Sequence, residues 1–352
     1  MNLSKIYVSN KQVQQLFVGN NPISHAFLGE KLVYVKENNY KEDWSNQVDT
    51  NKTWVVEKSI VDSEGSIYVL TTTALADYML YKLSSNHGLI IDSSKYESEP
   101  DICLDKDNNL YITSVNSSGL KIQAFDKNNN IVFSKLYSMS ISIEKKWRIK
   151  TTVDTNNLYV CLSTFENNTL LMVFNKNGVE INEVNLKINS GEYLNNIETN
   201  DGLYLYYSTN VEIHKIEKRN LNNDIVLKTE KEVIDFTVDN IGNAWVMTSD
   251  AIYIFYQNKL PTKIIHIGDI SKDLLCFVYI VVDKTNEIFV IARTANSYIY
   301  LLRFRSGGDI SLMIPIDEYS YGRCVLSINS NNDIYFLYLN NDFLNIKKMK
   351  AI

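Results

Sequence analysis

The stretch Asp105-Lys106-Asp107-Asn108-Asn109-Leu110-Tyr111-Ile112 determines how the whole chain is interpreted. Asp and Asn tolerate the positive φ of tight turns, and an aliphatic, an aromatic and another aliphatic residue in succession suit a strand. A short apolar run, residues 102–104, comes just before the turn residues. The stretch therefore predicts two antiparallel strands joined by a tight turn.

The same pattern recurs along the chain. Its copies begin at Asp62, Asp105, Asp154, Asn200, Asp239, Asp283 and Asn329. The aromatic residue of each copy is Tyr68, Tyr111, Tyr159, Tyr204, Trp245, Phe289 and Tyr335. Successive aromatic positions are 41 to 48 residues apart, with a mean near 44.5. Because this period is that of a four-stranded propeller blade, we predict an all-β, seven-bladed β-propeller.

Closing the ring requires one additional strand. The seventh copy supplies strands near residues 324–328, 333–339 and 343–349, so its blade lacks a fourth. An unpaired outer edge is a liability, and the other terminus of the chain can cover it. We predict that residues 30–36 provide this closing strand. The propeller would then span residues 30–352, and residues 1–29 would form a short β-repeat attachment segment.

The blade pattern resembles that of known propellers. The sequence Asp239-Asn240-Ile241-Gly242-Asn243-Ala244-Trp245 is similar to the repeat of NHL-type, YVTN-type and sensor-associated propellers. This resemblance covers residues 54–350 and implies the same fold. It implies no function, since propellers serve as enzymes, lectins and scaffolds.

A second repeat, with a period of ten, precedes the propeller. Ile6-Tyr7-Val8-Ser9-Asn10 aligns with Leu16-Phe17-Val18-Gly19-Asn20 and with Ala26-Phe27-Leu28-Gly29-Glu30. Each unit is too small to bury a core, so we expect it to pack on something else. The strands either wrap the propeller or one another, or they attach the propeller to a partner through Tyr7, Phe17 and Phe27.

These tandem units resemble the N-terminal segments of tail, baseplate and fibre proteins in phages of low-GC Gram-positive bacteria and in related tail-like particles. The resemblance implies a non-enzymatic structural protein of the virion tail. It further implies other tail proteins as partners, and a propeller that binds a surface glycan or protein of the host bacterium. A homo-oligomer is compatible with this interpretation.

Charge and composition exclude several classes of function. A net charge of −6 argues against binding nucleic acid, which favours a basic surface. The N-terminus has no basic segment followed by an apolar run, and no stretch is apolar enough to span a membrane. We therefore expect synthesis in the cytoplasm without membrane insertion. The 4 cysteines form no CxxC pair and are expected to be buried and unpaired.

The predicted ligand-binding face is formed by the loops between second and third strands and by the loops between blades. Its candidate residues are Trp147, Arg148, Tyr193, Tyr319, Tyr321 and Arg323. The aromatic side chains would stack on sugar rings, while Arg148, Arg323 and Glu99 share one register and would line the channel mouth. The alternative is that these loops are ordinary solvated loops, with an arginine linking blades.

Catalytic and metal sites are not predicted. The 4 histidines do not suggest a catalytic triad, and the Asp105 run lacks the Gly and Glu that an EF-hand loop needs at its sixth and twelfth positions. We predict neither cofactor nor metal, and no enzymatic activity. Two alternatives remain: a cytoplasmic propeller used as an interaction scaffold, and a polysaccharide hydrolase or lyase with an unidentified carboxylate pair.

Overall fold

The computed structural model describes residues 6–8, 11–13, 16–18, 21–23, 25–28, 31–35, 40–49, 53–73, 77–96, 99–138, 147–164, 168–188, 194–200, 202–221, 225–256, 260–296, 298–318, 324–340 and 343–351. Nearly all regular structure in this part of the chain is β-strand, and α1 (Ile267–Ile270) is a single helical turn. No helix among these residues is long and apolar enough to cross a membrane.

The period-ten repeat forms three small antiparallel hairpins. They pair β1 (Ile6–Val8) with β2 (Lys11–Val13), β3 (Leu16–Val18) with β4 (Asn21–Ile23), and β5 (His25–Leu28) with β6 (Lys31–Val35). Each hairpin is a separate two-stranded sheet. The next strand, β7 (Tyr40–Asp49), belongs to the propeller.

Seven four-stranded antiparallel sheets, numbered here as blades 1 to 7, follow one another along the chain. Blade 1 contains β8 (Thr53–Val61), β9 (Ile67–Thr73), β10 (Tyr78–Leu83) and β11 (Ile90–Tyr96). Blade 2 contains β12 (Asp101–Leu104), β13 (Leu110–Asn116), β14 (Gly119–Phe125) and β15 (Ile131–Tyr137). Blade 3 contains β16 (Trp147–Val153), β17 (Asn157–Thr164), β18 (Asn168–Asn175) and β19 (Glu180–Lys187).

The remaining blades repeat this order. Blade 4 contains β20 (Leu194–Thr199), β21 (Tyr204–Thr209), β22 (Glu212–Glu217) and β23 (Ile225–Lys228). Blade 5 contains β24 (Asp235–Val238), β25 (Ala244–Met247), β26 (Ala251–Phe255) and β27 (Lys263–His266). Blade 6 contains β28 (Leu274–Val282), β29 (Ile288–Thr294), β30 (Tyr298–Phe304) and β31 (Ile310–Glu318). Blade 7 contains β32 (Val325–Ile328), β33 (Ile334–Asn340), β34 (Phe343–Ala351) and β7.

The blades close into a ring. Each first strand contacts the first strands of the two neighbouring blades, and β32 of blade 7 contacts β8 of blade 1. A cluster of buried apolar side chains fills each of the seven junctions between blades. Successive residues of one strand enter opposite junctions, as Ile288 and Phe289 do. The predicted seven-bladed β-propeller is therefore confirmed, and burial of both sheet faces explains its nearly continuous apolar strands.

The closing strand is not the predicted one. β7 pairs with β34 from Asp49 opposite Phe343 to Tyr40 opposite Ala351. Residues 30–36 were expected here, but Lys31–Val35 instead pairs with β5 in the third hairpin. The physical reason is the length of the strands and the distance between partners in the sequence. β34 has nine residues and is matched in length by β7, which has ten, whereas β6 has only five. β6 also pairs with β5, the strand directly before it. Val48 anchors β7 in the junction between blades 7 and 1.

The turn that defines the repeat is held by its first side chain. Asp105 Oδ1 accepts hydrogen bonds from the backbone N–H groups of Asp107 and Asn109, both at 2.9 Å. Asn108 adopts the left-handed conformation, with φ of 63°. Asp105 Oδ2 contacts Lys176 Nζ of blade 3 at 2.9 Å. Burial alone raises the pKa of Asp105, but its bonds to Lys176 and Asn109 outweigh burial and lower that pKa. These contacts give the Asp105 run a structural role in the turn.

In blade 4, the predicted position of the repeat's aromatic residue is wrong by two residues. Its first and second strands pair Thr199 with Leu205 and Glu198 with Tyr206, as blade 1 pairs Val61 with Ile67 and Ile60 with Tyr68. Tyr206, rather than Tyr204, therefore occupies the buried aromatic position of the repeat. A two-residue shift keeps each side chain on the same face of the strand, so this misalignment does not affect the predicted fold.

Candidate functional site

A cavity of about 280 Å³ lies where the first strands of the blades begin. Most of its lining comes from the first strands of blades 1 to 6 and the residues just before them. The cavity therefore lies on the ring axis, at the end opposite the Asp turns, and we call this end the channel mouth. It is the face on which the sequence predicted a ligand site.

One residue from each blade forms a layer at the channel mouth, four positions before the first residue of the turn. The mouth layer consists of Lys58, Asp101, Lys150, Asn196, Asp235, Tyr279 and Val325. All but Val325 line the cavity. Side chains in this layer differ in charge and polarity from blade to blade, although the strands around them are equivalent.

Asp101 connects three blades. Lys58 Nζ of blade 1 lies 2.9 Å from its Oδ1 and 3.2 Å from its Oδ2, and the Thr151 N–H of blade 3 donates to Oδ2 at 2.6 Å. Asp101 is only 1% exposed. Burial alone lowers the pKa of Lys58, but the charge and hydrogen bonds of Asp101 outweigh burial and raise that pKa above its ordinary value. Lys58 is therefore charged at neutral pH.

A second ion pair lies beside the first. Lys150 Nζ of blade 3 is 3.5 Å from Glu99 Oε1, just before blade 2. Burial raises the pKa of Glu99, Glu57 adds to the increase, and the positive charges of Lys150 and Arg148 oppose it. On this side of the cavity, cations and carboxylates thus alternate around the ring.

The opposite side is acidic. Asp235 Oδ1 accepts hydrogen bonds from Asn196 Nδ2 at 3.3 Å and from its neighbouring backbone N–H at 2.9 Å. Glu198 lies two residues beyond Asn196 on the same face of β20, and its Oε2 accepts the Val238 N–H at 2.9 Å. Burial is the main influence on Glu198, and the charge of Asp235 adds to it. Together they raise the pKa of Glu198 to about 8, despite the opposing effects of Val238 and Lys58.

The predicted ligand residues are only partly described. Arg148 lines the cavity together with Glu99, as their shared register suggested. Trp147 begins β16 opposite Thr164, but its side chain lies outside the described part of the chain, as do Tyr193, Tyr319, Tyr321 and Arg323. Ligand binding by these residues stays a prediction.

The predicted attachment residues lie in the hairpins. Tyr7, Phe17 and Phe27 fall within β1, β3 and β5, and their side chains are also outside the described part of the structure. Among the residues that are described, no three His, Cys, Asp or Glu side chains are grouped as metal ligands would be. The cysteines are free: Cys103, Cys161 and Cys324 are buried, and Cys276 is half-buried.

Sequence reasoning missed the mouth layer although a signal was available. The predicted register used Glu99, Arg148 and Arg323, which lie six residues before their turns. Charged residues four positions before the turn, such as Lys58 and Asp101, interrupt otherwise apolar strands in several blades. Aligning the seven copies on their turns would have placed these residues in one layer.

Comparison with known proteins supports the fold. No protein-family model and no curated protein sequence matches the chain. The solved structure of U3-55K is similar, with a TM-score of 0.63 and 9% identity over 86% of this chain and 98% of that one. A protein of unknown function from Bacteroides caccae has a TM-score of 0.48 and 9% identity over 68% of this chain and 90% of its own. At this identity, the similarity to U3-55K shows a shared seven-bladed β-propeller fold and nothing further.

Proposed function

We propose that the chain is a non-enzymatic structural protein of a bacteriophage tail or tail-like particle. In this role the propeller binds a glycan on the surface of a host bacterium through its channel mouth. The three N-terminal hairpins join the propeller to a neighbouring tail protein.

The polar cavity at the channel mouth is the observation that carries this proposal. It is lined by side chains of both charges, by Asn195 and Asn196, and by the aromatic rings of Tyr78 and Tyr279. Sugars require donors and acceptors in fixed positions, and a few such groups in a concave site provide orientation and specificity. Arg148, one of the predicted ligand residues, lines this cavity, and Trp147 precedes it directly in β16.

The hairpins support the attachment role. Their strands are paired in three separate sheets, each distinct from the seven blade sheets. A two-stranded hairpin is at best marginally stable alone in water, so a partner surface would stabilise it. The resemblance of the repeat to tail-protein segments makes another tail protein the proposed partner.

Glycan binding is tested with purified full-length protein and host cell walls. We expect Arg148→Ala, Trp147→Ala and Tyr321→Ala each to weaken binding at least about threefold without lowering the unfolding midpoint. Glu183→Gln, on the exposed outer strand β19, is the control and should bind normally. Unchanged binding by all three channel-mouth variants would refute the proposed site, and no binding by the native protein would refute the function.

Attachment is tested separately. The triple variant Tyr7→Ser, Phe17→Ser, Phe27→Ser should no longer co-sediment with tail particles but should still bind cell walls. Normal co-sedimentation of this variant would refute the role of the hairpins.

A polysaccharide hydrolase is the second candidate, because Glu198 has a raised pKa beside Asp235. Glycoside hydrolysis uses two carboxyl groups of which one stays protonated at neutral pH. Release of reducing sugar from host cell walls by the native protein, abolished by Glu198→Gln, would establish this activity. No release after prolonged incubation would exclude these walls as its substrate.

A further inference from the structure

One lysine of blade 4 is buried without an anion. Lys215 of β22 is only 5% exposed, yet its ammonium group has no hydrogen bond or ion pair with any residue that the structure describes. Its contacts there are with aromatic rings: Nζ lies 4.1 Å from the centre of the Tyr204 ring and 5.6 Å from that of Tyr206. Burying an ammonium group without an acceptor costs free energy, so an anion that reached this group would be bound favourably.

Other blades place a lysine at the same position, opposite the buried aromatic residue of the repeat, and supply it with an acceptor. Lys82 of blade 1 donates to Asn129 Oδ1 at 2.8 Å. Lys348 of blade 7 lies 3.2 Å from Asp333 Oδ2. Lys215 occupies this position in blade 4, and the described part of that blade provides no such group. The missing acceptor therefore distinguishes blade 4 from blades 1 and 7.

The electrostatic environments of these lysines differ in the same way. Burial lowers the pKa of Lys215, and no hydrogen bond or neighbouring charge opposes that effect. Burial also acts to lower the pKa of Lys348, but its hydrogen bond to Asp333 and the charges nearby outweigh burial and raise that pKa. An anion beside Lys215 would supply what Asp333 supplies in blade 7.

The ammonium group lies towards the end of the ring that carries the Asp turns. Lys215 pairs with Tyr206, whereas the nearer ring, Tyr204, pairs with Glu217, two residues closer to the turn. Tyr206 Oη in turn donates to the Gly242 carbonyl of the blade 5 turn at 2.9 Å. The Lys215 side chain therefore extends from the middle of its strand towards this surface, where Tyr204 is half-buried.

We propose that Lys215 binds the carboxylate group of a small organic monoacid at the turn end of the junction between blades 4 and 5, with the apolar part of the acid against Tyr204. One ammonium group neutralises one negative charge, so a monoanion leaves no excess charge in the junction, whereas a phosphate dianion would leave one. The ring of Tyr204 provides an apolar surface directly beside the ammonium group. This site lies at the opposite end of the ring from the channel mouth and goes beyond the proposed glycan-binding function.

Binding of the acid is coupled to the proton on Lys215. A bound carboxylate favours the ammonium form and therefore raises the pKa of Lys215. Carboxyl groups ordinarily titrate near ~4 and phenols near ~10, so neither class should dominate the titration near pH 8. Among the described residues, β23 contributes apolar Ile225 and Leu227 to this junction. The titratable groups around Lys215 there are Tyr204 and Tyr206 of β21, Glu217 of its own strand, and Asp239 and Tyr253 of blade 5.

The test compares butyrate with butyramide, which has nearly the same shape but no charge, on the full-length protein. NMR of protein labelled with ¹³C at the lysine Cε atoms follows each lysine separately, and Lys215→Met assigns the signal. At pH 7, butyrate should bind at least about tenfold more tightly than butyramide, because hydrogen bonds to charged groups are the stronger ones. The Lys215 signal should titrate below the ordinary lysine pKa in the free protein, and its pKa should rise when butyrate is bound.

Variants assign the binding to this lysine. Lys215→Met, which keeps most of the side-chain volume, should remove the preference for butyrate. Lys127→Met removes a lysine on an exposed turn of blade 2 and should retain the full preference. If Lys215→Met does not fold, the titration of the Lys215 signal in the native protein still decides the question.

Four outcomes would overturn the inference. Equal affinity for butyrate and butyramide would show that the charge is not recognised, and an unchanged preference in Lys215→Met would place the site elsewhere. Tighter binding of inorganic phosphate than of butyrate would show that the site does not select a monoacid. An ordinary pKa of Lys215 in the free protein would show that the chain already supplies its acceptor. These measurements use no host cell walls, so they leave the test of glycan binding independent.

Discussion

Replacing Asp101 with Asn should destabilise the junction of blades 1, 2 and 3. Asn retains an acceptor for the Thr151 N–H but leaves the Lys58 ammonium without its carboxylate. Removing one partner of a buried ion pair costs ~3–5 kcal/mol, but the Lys58 side chain is 26% exposed and can recover some hydration. We therefore expect a loss of about 2–3 kcal/mol in the free energy of unfolding.

The assay is urea unfolding at pH 7 for Asp101→Asn, Lys58→Met and the double variant. Lys58→Met should cost about 3–5 kcal/mol, because the Asp101 carboxylate left behind is almost fully buried. The double variant should lose at least about 2 kcal/mol less than the sum of the single variants. Asp309→Asn is the control: its pair with Lys263 is exposed and should contribute under about 1 kcal/mol. Additivity within ~0.5 kcal/mol would refute a coupled pair at this junction.

Three further predictions concern the closing strand, the turns and Glu198. Deleting the chain up to β7 should leave the melting temperature of the ring nearly unchanged, whereas deleting β7 as well should lower it clearly, because β34 then loses its partner. Gly242→Ala should cost about 1–2 kcal/mol in urea unfolding from its φ of +86° alone. Gly65→Ala should cost more, because its Cβ would also lie 2.9 Å from Tyr335 Oη; equal costs would contradict that packing. Folding raises the pKa of Glu198 to about 8, so between pH 4.5 and 8 the native state keeps a proton that the unfolded state has lost, and stability falls as pH rises. Glu198→Gln, which keeps the acceptor for Val238, should therefore unfold at higher urea than the native protein at pH 8 but at the same urea at pH 4.

The fold could be predicted because its information is local and repeated. Each turn begins with an Asp or Asn acceptor, and in five of the seven turns a described residue near the end has positive φ. Both features appear in the sequence of one copy. Asp105 and Asn108 provide them in blade 2. Seven repetitions with a period of about 44 residues then leave few architectures other than a propeller.

The closing strand could not be predicted in the same way, since its pairing is the least local of the propeller. β7 lies on the outer edge, and its sequence, Tyr40–Asp49, is mostly polar, with Val48 as its buried anchor. The more apolar residues 30–36 resemble a strand more closely, and Lys31–Val35 does form one, but with the neighbouring β5. The pattern of apolar residues identifies which segments are strands. It does not show which strands lie next to each other in space, and that determines their pairing.

The two ends of the propeller use the repeat differently. At the turn end, equivalent residues are similar and join neighbouring blades: Asn108 accepts from Ser63 of the preceding blade, as Asn286 accepts from Asn240. The same contact thus joins blades 1 and 2 and blades 5 and 6.

At the channel mouth, the equivalent positions have diverged. A ligand bound on the axis would meet a cation from blade 1, a carboxylate from blade 2, an amide from blade 4 and a phenol from blade 6. Because no rotation of the ring superimposes this sequence of side chains on itself, a small polar ligand has one preferred orientation. A scaffold of equivalent blades can fix the orientation of a ligand only where equivalent residues differ from blade to blade. The residues of the mouth layer differ in this way. Changing a single residue of that layer should therefore alter which ligand is preferred more than it alters the stability of the ring, except at the Lys58–Asp101 pair, where the two effects coincide.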